Sequence, residues 1–179
     1  MTGRIFTADH HVYDLPPLLS WNVRHTGTVP CDSWSVTAVY QPEMLTVLRM
    51  AAGFAAIENG MTQLRGIVDE YTVELGSRGM TVTLSGRGYA ARLLDNESRP
   101  VTYEQVTLRE LVRCHAEPYG ISCGAAADLR STVPYTAGAG ISQWKVISEF
   151  CRTYGGFLPR FAKTGELLAT PEQDSGKRI

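Results

Sequence analysis

The sequence predicts an α+β protein: a small antiparallel β-barrel over residues 1–96, then a small α/β domain over residues 97–171 with two short helices and a β-hairpin. Residues 172–179 are expected to form a loose C-terminal tail. Three observations carry this. Tyr71, Val73 and Leu75 alternate with Thr72 and Glu74, and Met80, Val82 and Leu84 alternate with Thr81 and Thr83, which is the two-residue period of half-buried strands. Asn59-Gly60 stands between two apolar runs and is a strong hairpin signal, because such turns need positive φ. After Asp95 the apolar spacing lengthens to that of helices.

Taken in order, Arg4–Thr7 and His11–Asp14 read as short strands and Leu18–Thr26 as a longer one, with Pro16-Pro17 breaking any continuous strand between them. In Cys31–Tyr40, the residues Trp34, Val36, Ala38 and Tyr40 share one face, which should be core. Pro42–Met50 fits a short helix or a strand, with a helical turn closing one end of the barrel preferred. Phe54–Ile57 and Met61–Val68 flank Glu58-Asn59-Gly60. Up to Leu84 this makes six or seven close-spaced antiparallel strands. Gly76-Ser77-Arg78-Gly79 links the last two, and Ser85-Gly86-Arg87-Gly88 lets the chain leave the second and turn into a short helix at Tyr89–Leu94.

In the second half, Thr107-Leu108-Arg109-Glu110 is a capping box opening a helix whose Leu108, Leu111, Val112 and His115 share a face and which ends before Pro118. Ser142 caps a second helix with Trp144, Ile147, Cys151 and Tyr154 in its apolar stripe, widened by Val146 and Phe150 and stopped by Gly155-Gly156. Phe157–Phe161 and Glu166–Ala169 form a last hairpin around Lys163-Thr164-Gly165.

Composition excludes several classes. A net charge of −1 over 179 residues does not build the basic face that nucleic acid requires. No run is long and apolar enough to span a membrane, and Met1–Arg4 lacks a signal-peptide core, which points to a protein made in a cytosol. Cys31, Cys114, Cys123 and Cys151 have no CxxC spacing and read as buried, reduced thiols. Gly86, Gly88 and Ala91 imitate a dinucleotide fingerprint, but the preceding strand alternates and belongs to a hairpin, so no cofactor is expected.

Catalytic groups do not assemble either. His10 and His11 would face opposite ways on a strand and could not share one metal ion. Cys114 and His115 project about 100° apart on a helix, away from nucleophile-and-base geometry. Asp69 and Glu70, as neighbours on a strand, should also point apart. No catalytic, metal or cofactor residue is therefore assigned.

The pattern as a whole resembles a known family. Asp32-Ser33-Trp34-Ser35-Val36, Gly66-Ile67-Val68-Asp69-Glu70, Thr81-Val82-Thr83-Leu84-Ser85-Gly86-Arg87 and Leu93-Leu94-Asp95, followed by a helix and the serine-capped helix bearing Trp144, resemble the N-terminal half of phage tail hub proteins. These are the Mu-type baseplate hub and late-control D family, with relatives in prophages and phage-tail-like particles; the resemblance covers about residues 30–170. It implies a barrel of the tail-tube kind and a virion protein assembled in the bacterial host cytoplasm. It further implies a homotrimer that meets the tail tube protein on one side and the central spike protein on the other, among other baseplate proteins. Hubs of this family continue into a second barrel, so this chain is expected to be a fragment, a split gene product or a shortened relative. By position in the family pattern, Asp69, Glu70, Arg87 and Arg92 are the candidate interface residues, with ordinary surface charge or an internal salt bridge as the competing role. A carbohydrate- or cell-wall-binding module built on the Trp144 helix is the alternative function, and a wall hydrolase ranks third.

Overall fold

The computed structural model describes residues 1–27, 30–77 and 79–172. Arg78 of the expected 76–79 turn, and all of the expected tail except Glu172, lie outside the described residues. Among the described residues the fold is α+β, mostly antiparallel, with four short α-helices, and it divides into two compact units. Residues 1–91 with 163–165 make the first, and the second begins at Arg92.

The first unit is one seven-stranded antiparallel sheet. Its strands are β1 (Thr2–Thr7), β2 (Val12–Asp14), β3 (Leu18–Arg24), β4 (Ser33–Val39), β5 (Ala51–Glu58), β6 (Met61–Gly76) and β7 (Gly79–Gly88), in the spatial order β2-β1-β5-β6-β7-β4-β3. Among the described residues the outer strands β2 and β3 do not pair with each other, so no ladder closes the sheet. The Asn-Gly turn forms as its residues require: Asn59 has φ 52° and Gly60 φ 77°. Helix α1 (Met44–Arg49) settles the ambiguous segment as a helix, and it buries Met44 and Leu48.

The core of this unit contains Ile5, Trp34, Val36, Phe54, Leu64, Val82 and Leu84, all on one face of the sheet. The expected face of β4 is buried through Ala38, with Tyr40 packed at its margin. Strand β5 and strand β4 are three steps apart in the sheet, roughly 14 Å if it were flat. Yet the rings of Trp34 and Phe54 stack with centroids 3.8 Å apart and planes 13° from parallel. The sheet must therefore bend sharply between them, with this face concave.

Two features of β6 and β7 allow the bend. Asp69 has no partner in the register, which passes from Val68↔Gly86 to Glu70↔Ser85, so β6 carries a bulge and runs unbroken through what the sequence presents as two strands. The glycines are the second feature. A Cβ on Gly86 would collide with the Ile67 carbonyl oxygen and come within 2.9 Å of the Trp34 ring, and one on Gly66 would collide with the Arg87 carbonyl. The sequence reading placed Gly86 and Gly88 at an exit corner; instead both belong to β7, and at Gly86 the missing side chain is filled by backbone and indole. The short helix α2 follows over Ala91–Leu94.

In the second unit, α3 (Leu108–His115) and α4 (Gln143–Phe150) pack over a core of Leu108, Leu111, Val112, Val146, Ile147 and Phe150. The capping box is present: the Thr107 hydroxyl accepts from the Glu110 N–H at 3.2 Å, and Glu110 accepts from the Thr107 N–H at 2.8 Å. These bonds to Thr107 hold the Glu110 carboxyl below its ordinary pKa. Ser142 caps α4 by accepting from the Lys145 N–H at 3.2 Å. The helix then widens into a π turn, Cys151–Gly155, that ends on Gly156 at φ 70°. Around the helices lie β8 (Val101–Tyr103) paired with β10 (Tyr135–Ala137), and a sheet in the order β11-β12-β9 formed by β9 (Cys123–Ala126), β11 (Arg160–Phe161) and β12 (Leu167–Ala169). The β11–β12 hairpin is the expected one. The parallel pairing of β9 with β12 has no counterpart in the sequence reading.

Gly86→Ala is expected to lower the unfolding free energy by about 2–3 kcal/mol, since a methyl group there overpacks backbone that cannot yield. Urea denaturation followed by tryptophan fluorescence measures this, and an unchanged midpoint would remove Gly86 from the account of the bend. Thr107→Ala should cost about 1 kcal/mol through loss of the α3 cap, read from the same transition by far-UV circular dichroism.

Candidate interaction surface

The bulge at Asp69 brings together three of the four sequence-predicted residues. Two residues of β6 oppose one of β7 here, so Asp69 and Glu70 do not simply point apart as neighbours on a regular strand would. Asp69 reaches Arg87 and Glu70 reaches Ser85, two residues that lie two apart on the outward face of β7. Arg87 grips Asp69 with two nearly parallel bonds, Nε to Oδ2 at 2.8 Å and Nη2 to Oδ1 at 2.9 Å, and Ser85 Oγ donates to Glu70 Oε1 at 3.0 Å. The Asp69 and Arg87 side chains are about one-third exposed, at 33% and 37%. This pair bridges the bulge to β7. Arg92 is not part of this cluster. It belongs to the second unit, where its Nη1 donates to the Tyr119 carbonyl at 3.0 Å.

The outward face beside the cluster is made of small hydroxyls. Ser33, Ser35 and Thr37 of β4 face Arg87, Ser85 and Thr83 of β7 across the ladder, and the Thr37 and Thr83 hydroxyls bond at 3.1 Å. Apolar exposure lies elsewhere. Leu19 and Trp21 on the outer strand β3 are 60% and 50% exposed, and Leu75 near the end of the β6–β7 hairpin is 81% exposed. Trp21 pairs with Val36, so it extends the core face of the sheet past the last covered strand. Alternation in the sequence places Trp21 on the core face, and only the strand order shows that it lies at an edge.

The groups singled out for chemistry are otherwise engaged. His10 sits in a turn with φ 67°, outside any strand. His115 is buried, with Nδ1 2.5 Å from Gln143 Oε1 and Nε2 3.0 Å from the Tyr103 hydroxyl. Gln143 Nε2 donates to the Glu97 carbonyl and to the Tyr119 hydroxyl, both at 2.9 Å, so its amide oxygen is the acceptor facing His115 Nδ1. This closed network leaves His115 no free nitrogen with which to activate Cys114. The expectation that all four thiols are buried is corrected: all are free, but Cys31 and Cys114 are exposed, Cys123 is half-buried and only Cys151 is buried. Burial pushes the Cys151 thiol up to about 12, which keeps it a protonated thiol at neutral pH. Trp144 is half-buried, its ring 5.8 Å from that of Phe161. Among the described residues no three His, Cys, Asp or Glu side chains converge to hold a metal ion, and no helix is long and apolar enough to cross a membrane.

The fold this surface sits on is shared with tail proteins. A tail protein from Neisseria meningitidis MC58 superposes with a TM-score of 0.71 over 99% of this chain at 13% identity. The 43 kDa tail protein of prophage MuSo2 from Shewanella oneidensis gives 0.72 over 98% at 15% identity. The E. coli c3393 protein, a component of the type VI secretion system with structural similarity to the T4 bacteriophage tail proteins gp27 and gp5, gives 0.54 over 89% at 11% identity. The chain spans about half the length of each, 52%, 56% and 51% respectively. No family model and no curated protein matches the sequence.

Asp69→Ala is expected to cost about 0.5–1 kcal/mol at low ionic strength, the worth of a part-exposed but bidentate pair. Urea titrations at low and high salt test this, and an effect that salt leaves unchanged would contradict an electrostatic lock on the bulge.

Proposed function

We propose that this chain is a structural component of a phage tail or phage-tail-like particle. In this reading it is the hub segment that joins the tail tube to the central spike as a homotrimer in the virion, assembled in the host cytoplasm with other baseplate proteins. The observation that carries the reading is the match of nearly the whole chain, 98–99% of it, to two tail proteins at TM-scores of 0.71 and 0.72. The shape of the first unit supports it. Among the described residues the outer strands β2 and β3 of the bent sheet each pair on one side only, and the β3 edge carries Leu19 and Trp21 in the open. Such edges invite pairing with another chain unless something blocks them. Copies placed edge to edge would complete the barrel-like closure that one copy lacks, and repetition about an axis would end the series in a ring.

Asp69, Glu70, Arg87 and Arg92 take supporting parts in this scheme. The first three stiffen the bulge that sets the curvature of each copy. Arg92 fixes the start of the second unit through the Tyr119 carbonyl.

Size-exclusion chromatography with light scattering tests the reading: trimers should form with rising concentration, and Trp21→Glu should return the protein to monomers while its melting temperature stays within a few degrees. A chain that is monomeric throughout, in the presence of a co-expressed tube protein as well, would overturn it.

A further inference from the structure

The outward face of the first unit carries a second feature that the assembly reading does not use. Gln63 and Arg65 lie two positions apart on β6, and Gln63 is the residue that the ladder with β5 skips between Thr62↔Ile57 and Leu64↔Ala56. The Arg65 guanidinium carbon is 4.9 Å from the centre of the Phe6 ring and 5.6 Å from that of Tyr89. Tyr89 is braced in turn: a Cβ on Gly165, whose φ is 86°, would come within 2.6 Å of its ring, so the 163–165 turn presses on it through a residue that has to be glycine. That turn also delivers Lys163, whose Nζ donates to Gln63 Oε1 at 2.7 Å.

Each of these two cations is thus ordered by neutral partners, with Tyr89 packed against both Arg65 and the turn that carries Lys163. Nearby cations of the same unit are matched with acids, Arg4 with Asp14 at 2.6 Å and Arg87 with Asp69 at 2.8 Å. Arg65 and Lys163 have no carboxylate partner among the described residues. Aromatic rings engage the face of a guanidinium, while its five N–H donors point outward in its plane, so the contacts that hold Arg65 leave its binding edge open. Ordering such a long side chain in advance also removes part of the entropy cost of docking, and arginine and tyrosine are the residue types over which interface energy concentrates.

We infer that Arg65 and Lys163 form a docking patch for an acidic segment of a partner protein, with Arg65 taking one carboxylate through two parallel N–H bonds and Lys163 taking a second beside it. A nucleic acid fits less well. Two cations neutralise little of a phosphate backbone, and a net charge of −1 supplies no broad basic face to hold the rest. The inference stands on this geometry and holds whichever assembly the chain joins.

Titration calorimetry of the whole chain with an end-capped hexaglutamate peptide tests it. Saturable binding is expected, weakened about tenfold by Arg65→Lys, which keeps the charge and loses the planar fork. Lys163→Ala should weaken it several-fold, with the melting temperatures of both variants close to that of the parent. Absence of saturable binding, equal affinity in parent and both variants, or tighter binding of a short DNA duplex than of the peptide at the same salt would each overturn the assignment.

Discussion

The first unit depends on one buried indole. Trp34 stacks on Phe54, closes over the bare backbone of Gly86 and donates its Nε1–H to the Ile67 carbonyl at 3.1 Å. Each contact needs the others. The stacking draws together strands that a flat sheet would hold well apart, the bend requires backbone to approach backbone where β6 crosses β7, and that approach is possible only without side chains at Gly66 and Gly86. The indole N–H also meets a carbonyl at the bent crossing, which satisfies a polar group that burial would otherwise penalise.

The bulge works from the opposite face. One additional residue, Asp69, shortens β7 relative to β6 and increases the local bend, and the same residue anchors itself to Arg87 across the ladder. Curvature is therefore fixed on the inside by an aromatic pair and on the outside by an ion pair. Neither arrangement concentrates reactive groups. In the second unit the polar side chains follow the same logic: His115, Gln143, Tyr103 and Tyr119 satisfy one another in the core, where their bonds align two helices and a short strand.

What the exposed surface offers is recognition. An uncovered strand with Trp21, a hairpin end with Leu75 and an arginine held ready over two rings are distinct patches on one small unit. They differ in chemistry and can serve different neighbours.

Sequence by itself determined most of the local structure. Alternation marked β4, β6 and β7, Asn59-Gly60 set its hairpin, and Thr107 and Ser142 announced both longer helices, because period, turn and cap depend on residues within a few positions of each other. Asp69, Glu70 and Arg87 stand out in the sequence only by position in a family pattern, and it is the bulge that brings their side chains to one face. The strand order, the bend, the close packing at Gly86, the edge position of Trp21 and the parallel β9–β12 pair were decided only in three dimensions. Each of these joins segments far apart in the chain, and a strand of three or four residues has too few alternations to declare its partner. The same holds for Arg65: charge and spacing identify an arginine on a strand, but only the fold brings Phe6, Tyr89 and Lys163 around it, since tertiary packing places side chains whose sequence neighbourhoods share nothing.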